Sequence, residues 1–143
     1  MEDVVVLVLR VVLGVLLIGH GSQKLFGWFG GYGLTGTGGF MESLGMKPGR
    51  VMAAAAGLSE FVGGALLVVG FLVPVGALLI AGVMTVAIGK VHIKNGPWNE
   101  GGGYEFPLLI VLVVVTLAVL GPGAVSLAGA LGVEDTPVLG AVL

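Results

Sequence analysis

Four apolar stretches alternate with shorter polar or glycine-rich segments along the chain. A membrane-crossing helix needs about 20 mostly apolar residues, because each residue advances the helix by about 1.5 Å. The pattern predicts membrane spans at about residues 4–24, 51–71, 74–94 and 104–120. Pro74 suits the first turn of the third helix, and the run Gly121-Pro122-Gly123 ends the fourth.

The first loop is aromatic and rich in glycine. Residues 35–44 within it predict a short helix, with Thr37 as its N-cap and Gly45 as its end. Three apolar side chains would share one face of this helix: Phe40, Met41 and Leu44. The loop fits an aromatic belt at the membrane interface, and it also fits a re-entrant lid over a cavity of the bundle. Residues 121–143 are apolar but short and interrupted by glycine, so we expect them to lie at the interface, with a fifth partial span as the alternative.

Composition supports a membrane protein of one domain, residues 1–143. Only 10% of the residues are charged, whereas soluble domains contain about 25%. No basic patch for nucleic acid is visible, and the absence of cysteine excludes thiol redox chemistry by this chain itself. The sequence thus predicts an all-α, four-transmembrane-helix bundle in the lipid bilayer.

The ends and loops of the spans set the expected topology. The N-terminal segment is unlike a cleavable signal peptide, because it carries Glu2, Asp3 and Arg10. We therefore expect the first helix to be retained. Most lysine and arginine residues lie near the two loops, 25–50 and 95–103. The positive-inside rule then places these loops in the cytoplasm and both termini outside, across a bacterial or archaeal plasma membrane.

Glu60 is the most informative single residue, because it lies in the middle of an apolar helix. A carboxylate at that depth costs about 2.5–3.5 kcal/mol on insertion scales, so it should face the bundle interior and have a partner. The helical stripe of Ala53, Gly57, Glu60 and Gly64 indicates a closely packed face. We expect an ion pair between Glu60 and Arg10, which serves either to fix helix register or to build a functional site.

A wider polar cluster is expected around Glu60, from all four helices. Its members are the predicted ligand-binding residues: Arg10, His20, Lys24, Glu60, His92 and Glu105. A histidine with a carboxylate could bind and protonate a quinone head group. Divalent metal is a weaker interpretation, because no H-x-x-H or E-x-x-H spacing occurs, and a bundle this small would hardly enclose a haem. A quinone or another apolar ligand is therefore the leading interpretation; the sequence leaves the cofactor itself unknown, and neither metal nor haem is expected.

The same residues resemble the DoxX family of small four-helix membrane proteins. The resemblance spans residues 4–120 and rests on an ordered set of motifs: Arg10, the GHGSQKL run at 19–25, TGGF at 37–40, SLG at 43–45, EFVGG at 60–64, His92-x-x-Asn95-Gly96 and Glu105. It implies membrane subunits that are associated with quinone reduction, or partners in complexes that respond to oxidative stress. Some distant relatives assist the assembly of other membrane proteins, so the resemblance supports the fold more than a reaction.

The leading hypothesis is a redox-associated membrane subunit that binds a quinone-like or other apolar ligand at an intramembrane polar site. Two alternatives remain open: a non-enzymatic scaffold or assembly factor for a membrane complex, and a small transporter or proton path. The small size of the chain favours a homo-oligomer or a membrane redox complex. Whether the chain is itself an enzyme is left undecided by the sequence.

Overall fold

The computed structural model of the chain describes residues 1–133, and this part is helical without strands. Six α-helices follow one another: α1 Glu2–Phe26, α2 Gly33–Ser43, α3 Gly49–Val69, α4 Val73–Ala87, α5 Glu105–Leu120 and α6 Leu127–Leu131. After α4 the helix continues as a π-helical turn, Ile88–His92, and then as a short 3₁₀ turn, Ile93–Asn95. A second 3₁₀ turn, Asn99–Gly101, precedes α5.

The predicted four-helix membrane architecture is confirmed. Three helical segments are long and apolar enough to cross a membrane, namely Glu2–Phe26, Gly49–Val69 and Val73–Asn95, and Glu105–Leu120 is a shorter apolar helix. The third span is α-helical only as far as Ala87, because its last two turns are a wider π-helical turn and then a tighter 3₁₀ turn. As expected, Pro74 lies in the first turn of α4 and the fourth span ends at Leu120.

Glycines let α1 and α3 pack with their backbones in close contact. A Cβ added at Gly14 would lie 2.6 Å from the carbonyl oxygen of Gly64, and one at Gly21 would lie 2.6 Å from that of Gly57. No side chain fits at such distances, so these glycines are required for the helix contact. The two contacts also fix the antiparallel register, with the C-terminal part of α1 beside the N-terminal half of α3.

Another face of α3 packs against the third span, and the fourth span packs against the third. Gly63 of α3 approaches Gly76 and Ile80 of α4, and α4 packs in turn against α5. The fully buried apolar side chains belong mainly to these helices; they include Leu17, Leu67, Val73, Ile80, Val114 and Leu117. One core therefore joins all four spans.

The short helix of the first loop is present as α2, but Thr37 does not cap it. The helix begins four residues earlier, with Tyr32 at its N-cap, so Thr37 lies inside it. Its end agrees with expectation, because Gly45 follows with a φ of 81°. α2 packs on the start of α3, where Glu42 Oε1 accepts a 3.0 Å hydrogen bond from the Gly49 amide.

The segment after α5 folds back onto the end of the bundle that carries the N-terminus. The Ala124 amide donates to Asp3 Oδ1 at 2.7 Å, and the Ala128 amide donates to the Gly70 carbonyl at 3.2 Å. The rest of the predicted interfacial tail, residues 134–143, lies outside the described part of the chain. The N-terminus and α6 thus share one end of the bundle, and α2 lies at the other.

Candidate functional site

Glu60 faces the bundle interior and has a charged partner, as predicted, but the partner is Lys24. Lys24 Nζ lies 2.5 Å from Glu60 Oε2, and the two side chains are 24% and 3% exposed. The Lys24 Cβ lies against Gly57, where an added Cβ would approach it to 3.2 Å. Side chains on a helix lean toward its N-terminus, so Lys24 reaches back by about one turn to Glu60.

The expected Arg10–Glu60 pair is wrong. Arg10 lies at the opposite end of the α1–α3 contact, beside Gly70, where its guanidinium occupies the place of the missing side chain. Its Nη2 donates to the Val125 carbonyl at 2.7 Å. Arg10 is fully buried, and its Nε and Nη1 have no hydrogen-bond partner within residues 1–133. Arg10 therefore joins the C-terminal segment to the bundle and does not contribute to the Glu60 site.

A large cleft opens beside the Lys24–Glu60 pair. It has a volume of about 680 Å³ and lies among all four spans, with α2 over it. This is within the range of about 300–1,000 Å³ that is typical of small-molecule sites. The three side chains predicted on one face of α2, Phe40, Met41 and Leu44, all line it. Their position favours the lid interpretation of the first loop over a simple aromatic belt.

Methionines are concentrated in the walls of the cleft. Every methionine of the chain other than Met1 lines it: Met41, Met46, Met52 and Met84. Methionine side chains are flexible and polarizable, so they adapt to apolar ligands of irregular shape. The composition of the sequence showed five methionines but not that helix packing would bring four of them together.

Four of the six predicted ligand-binding residues line the cleft, namely His20, Lys24, Glu60 and His92, and two do not, Arg10 and Glu105. Lys90 and Asn99 also line it and were not among the predicted six. The cleft therefore has polar groups set among apolar walls, which is the usual composition of a small-molecule site.

His92 is held in one orientation by the loop before α5. Its Nδ1 lies 2.8 Å from the Gly102 carbonyl, which also accepts a 3.1 Å hydrogen bond from Asn95 Nδ2. The π-helical turn brings three consecutive residues to the cleft, Lys90, Val91 and His92. Such turns within helices occur frequently at functional sites. A π-helical turn gives no clear signal in sequence, so helix periodicity did not predict that Lys90 lines the cleft beside His92.

Glu105 has a structural contact outside the cleft. Its Oε1 accepts a 2.5 Å hydrogen bond from the Asn99 amide and so closes the loop onto the start of α5. Asn99 itself lines the cleft. Glu105 thus shapes the wall of the cleft without facing it.

A second groove lies outside the cleft, between the end of α1 and α2. It has a volume of about 520 Å³ and is lined mainly by glycine and polar residues. Lys24 and Phe40 line both the groove and the cleft. These two side chains therefore form the partition between the intramembrane cleft and the loop end of the bundle.

The arrangement suits an apolar molecule with a polar head group better than a metal ion. Within residues 1–133, no three histidine, aspartate or glutamate side chains lie close enough to form a metal site. The one carboxylate that the described residues contribute to the cleft, Glu60, is already paired with an ammonium group. Apolar walls can hold a hydrophobic body, and the polar groups can bind its head.

Comparison with known proteins gives the family. The DoxX family model matches residues 5–93, which is more than half of the chain. The chain belongs to the DoxX family. It is also 32% identical over 127 residues to the inner membrane protein YqjF of Escherichia coli (strain K12), covering 89% of this chain and 92% of that protein. No solved structure matches it.

The DoxX match and the YqjF similarity, together with the apolar helices, identify an integral, multi-pass membrane protein. The matched region contains α1 from Val5 onward, α2 to α4 and the whole π-helical turn. It includes the Lys24–Glu60 pair and His92. Most of the polar lining of the cleft thus lies in the part of the chain that defines the family.

Proposed function

We propose that this DoxX protein is a redox-associated membrane subunit that binds a quinone-like molecule in the cleft beneath α2. The observation that carries the proposal is the cleft itself, which combines apolar, methionine-rich walls with a buried ion pair. A quinone has the matching form, with an apolar body and a head group that accepts hydrogen bonds. The Lys24 and Lys90 ammonium groups are donors for such a head group.

The cleft opens near the end of the bundle that carries positive charge. Lys24, Lys47, Arg50, Lys90 and Lys94 all belong to that end, and Arg10 is the remaining basic residue. The positive-inside rule supports a cytoplasmic position for this end, with the N-terminus and α6 on the outer side. A ligand that enters the cleft from the bilayer would then have its head group near the cytoplasmic surface.

Organic extraction of the detergent-purified protein, followed by mass spectrometry, tests the proposal. The wild-type protein should contain an enriched quinone, and Glu60→Gln, which removes the charge beside Lys24, should lose most of it. Glu42→Gln is the matched control, because Glu42 also accepts a hydrogen bond but lies outside the cleft. If wild-type and Glu60→Gln extracts are alike, or if no small molecule is enriched, the proposal is wrong.

A further inference from the structure

The hydrogen bond of His92 determines which of its ring nitrogens is free. A carbonyl oxygen only accepts hydrogen bonds, so Nδ1 must donate to the Gly102 carbonyl, 2.8 Å away. In a neutral imidazole whose Nδ1 carries the proton, Nε2 is an acceptor. Gly102 does not line the cleft but His92 does, so Nε2 is the nitrogen left for a ligand. The His92 ring thus offers an acceptor at the cleft.

Glu60 offers a second acceptor in the same cleft. Its Oε2 is taken by Lys24. Its Oε1 has no hydrogen-bond partner among the described residues, and the side chain lines the cleft. A carboxylate oxygen is an acceptor only. A ligand whose head group carries only carbonyl oxygens would leave both acceptors unmatched, and unmatched buried polar groups are costly.

We propose that the cleft prefers a head group with hydroxyl donors, that is, the reduced quinol form or another phenolic amphiphile, with a hydroxyl donating to His92 Nε2. This inference rests on the proposed function and adds the chemical form of the ligand. The hydroxyl oxygen can still accept a hydrogen bond from Lys24 or Lys90, so one hydroxyl pairs with an acceptor and with a donor of the cleft. The carbonyl oxygens of the oxidised quinone pair only with the lysine donors.

A pair of redox-inert ligands isolates the hydroxyl group. The probes are a long-chain 4-alkylphenol and its methyl ether, which have the same apolar body but differ in the hydrogen-bond donor. Each is titrated into the full-length protein in lipid nanodiscs by displacement of a fluorescent alkylquinone. The phenol should bind about three- to tenfold more tightly than the ether, which is the effect of one net hydrogen bond.

Two substitutions assign that preference to His92. His92→Asn keeps an amide donor where Nδ1 meets Gly102 but has no atom at the Nε2 position, and His92→Phe removes both nitrogens. Both should reduce the phenol-to-ether preference to about one while the ether binds as before. Asn95→Ala is the matched control, because Asn95 donates to the same Gly102 carbonyl but does not line the cleft. It should retain the wild-type preference.

The outcomes separate this inference from the proposed function. If neither phenol, ether nor quinone binds the wild-type protein, the proposed function fails. If the fluorescent quinone binds but phenol and ether compete equally, only the hydroxyl preference is wrong. A preference that persists in His92→Asn, which retains the loop contact, would also overturn the assignment to Nε2.

Discussion

Lys24 on α1 and Glu60 on α3 form an ion pair of 2.5 Å, and it is the only ion pair within residues 1–133. The pair depends on the close approach of the two helices at Gly57, which places the lysine beside the carboxylate. Both residues line the cleft, and Lys24 also lines the second groove. The energetics of the pair therefore affect both the stability of the bundle and the properties of the site.

Lys24→Met should destabilise the bundle by about 3 kcal/mol, because removal of one partner leaves a buried charge without compensation. The double substitution Lys24→Met with Glu60→Leu should recover most of the loss, since an apolar pair of similar size avoids that charge. Denaturant unfolding in detergent measures both. If Lys24→Met and the double variant were equally stable, the charges of Lys24 and Glu60 would not be energetically coupled.

Gly21→Ala should lower stability by about 1–3 kcal/mol, the usual cost of overpacking. An added Cβ would lie 2.7 Å from the Phe61 amide nitrogen as well as close to the Gly57 carbonyl. Gly19→Ala is the matched control on the same helix, because no atom lies within 4 Å of its added Cβ. Thermal unfolding should separate the two variants, and similar melting temperatures would contradict the observed α1–α3 register.

Gly70→Ala should release the C-terminal segment, because the Arg10 guanidinium occupies the place of the new methyl group. Hydrogen exchange at residues 124–130 should then accelerate by at least tenfold, since their contacts with Arg10 and Gly70 are lost. Gly132→Ala controls for backbone strain: its φ is 63°, close to the 65° of Gly70, but its added Cβ meets nothing. If both variants exchange alike, Arg10 does not hold this segment.

Phe40→Ala should speed the exchange of ligand between the cleft and the loop end, because Phe40 is part of the partition between cleft and groove. The dissociation rate of a fluorescent alkylquinone should rise several-fold, with a smaller change in affinity. Phe29→Ala is the comparison, since Phe29 is an exposed aromatic residue of the same loop that lines neither cavity. An unchanged dissociation rate in Phe40→Ala would show that Phe40 does not separate the cleft from the groove.

Much of the fold could be predicted from the sequence, because bilayer thickness and hydrophobic length determine the spans almost alone. The small-residue stripe around Glu60 likewise indicated the packed face of α3, and Ala53, Gly57, Glu60 and Gly64 are all buried. The start of α2 was placed too late, since Thr37 resembles a cap in sequence while the chain becomes helical at Gly33.

The pairing of charges could not be predicted, because it depends on helix register. Arg10 and Lys24 share one stripe of α1, and both could reach Glu60 by sequence pattern alone. The Gly14–Gly64 and Gly21–Gly57 contacts select Lys24. The gathering of four methionines in the cleft and the π-helical turn at His92 depend on the same three-dimensional packing.

Photolabelling with an alkylquinone that carries a photoreactive group tests the central claim most directly. The purified protein in nanodiscs is irradiated, digested and mapped by mass spectrometry, with and without excess unlabelled quinone. We expect labels on the walls of the cleft, within residues 52–60 and 78–92, and their loss on competition. Labels spread over lipid-facing positions such as Val8, Val12 and Leu112, unaffected by competitor, would show that the cleft is not a quinone site.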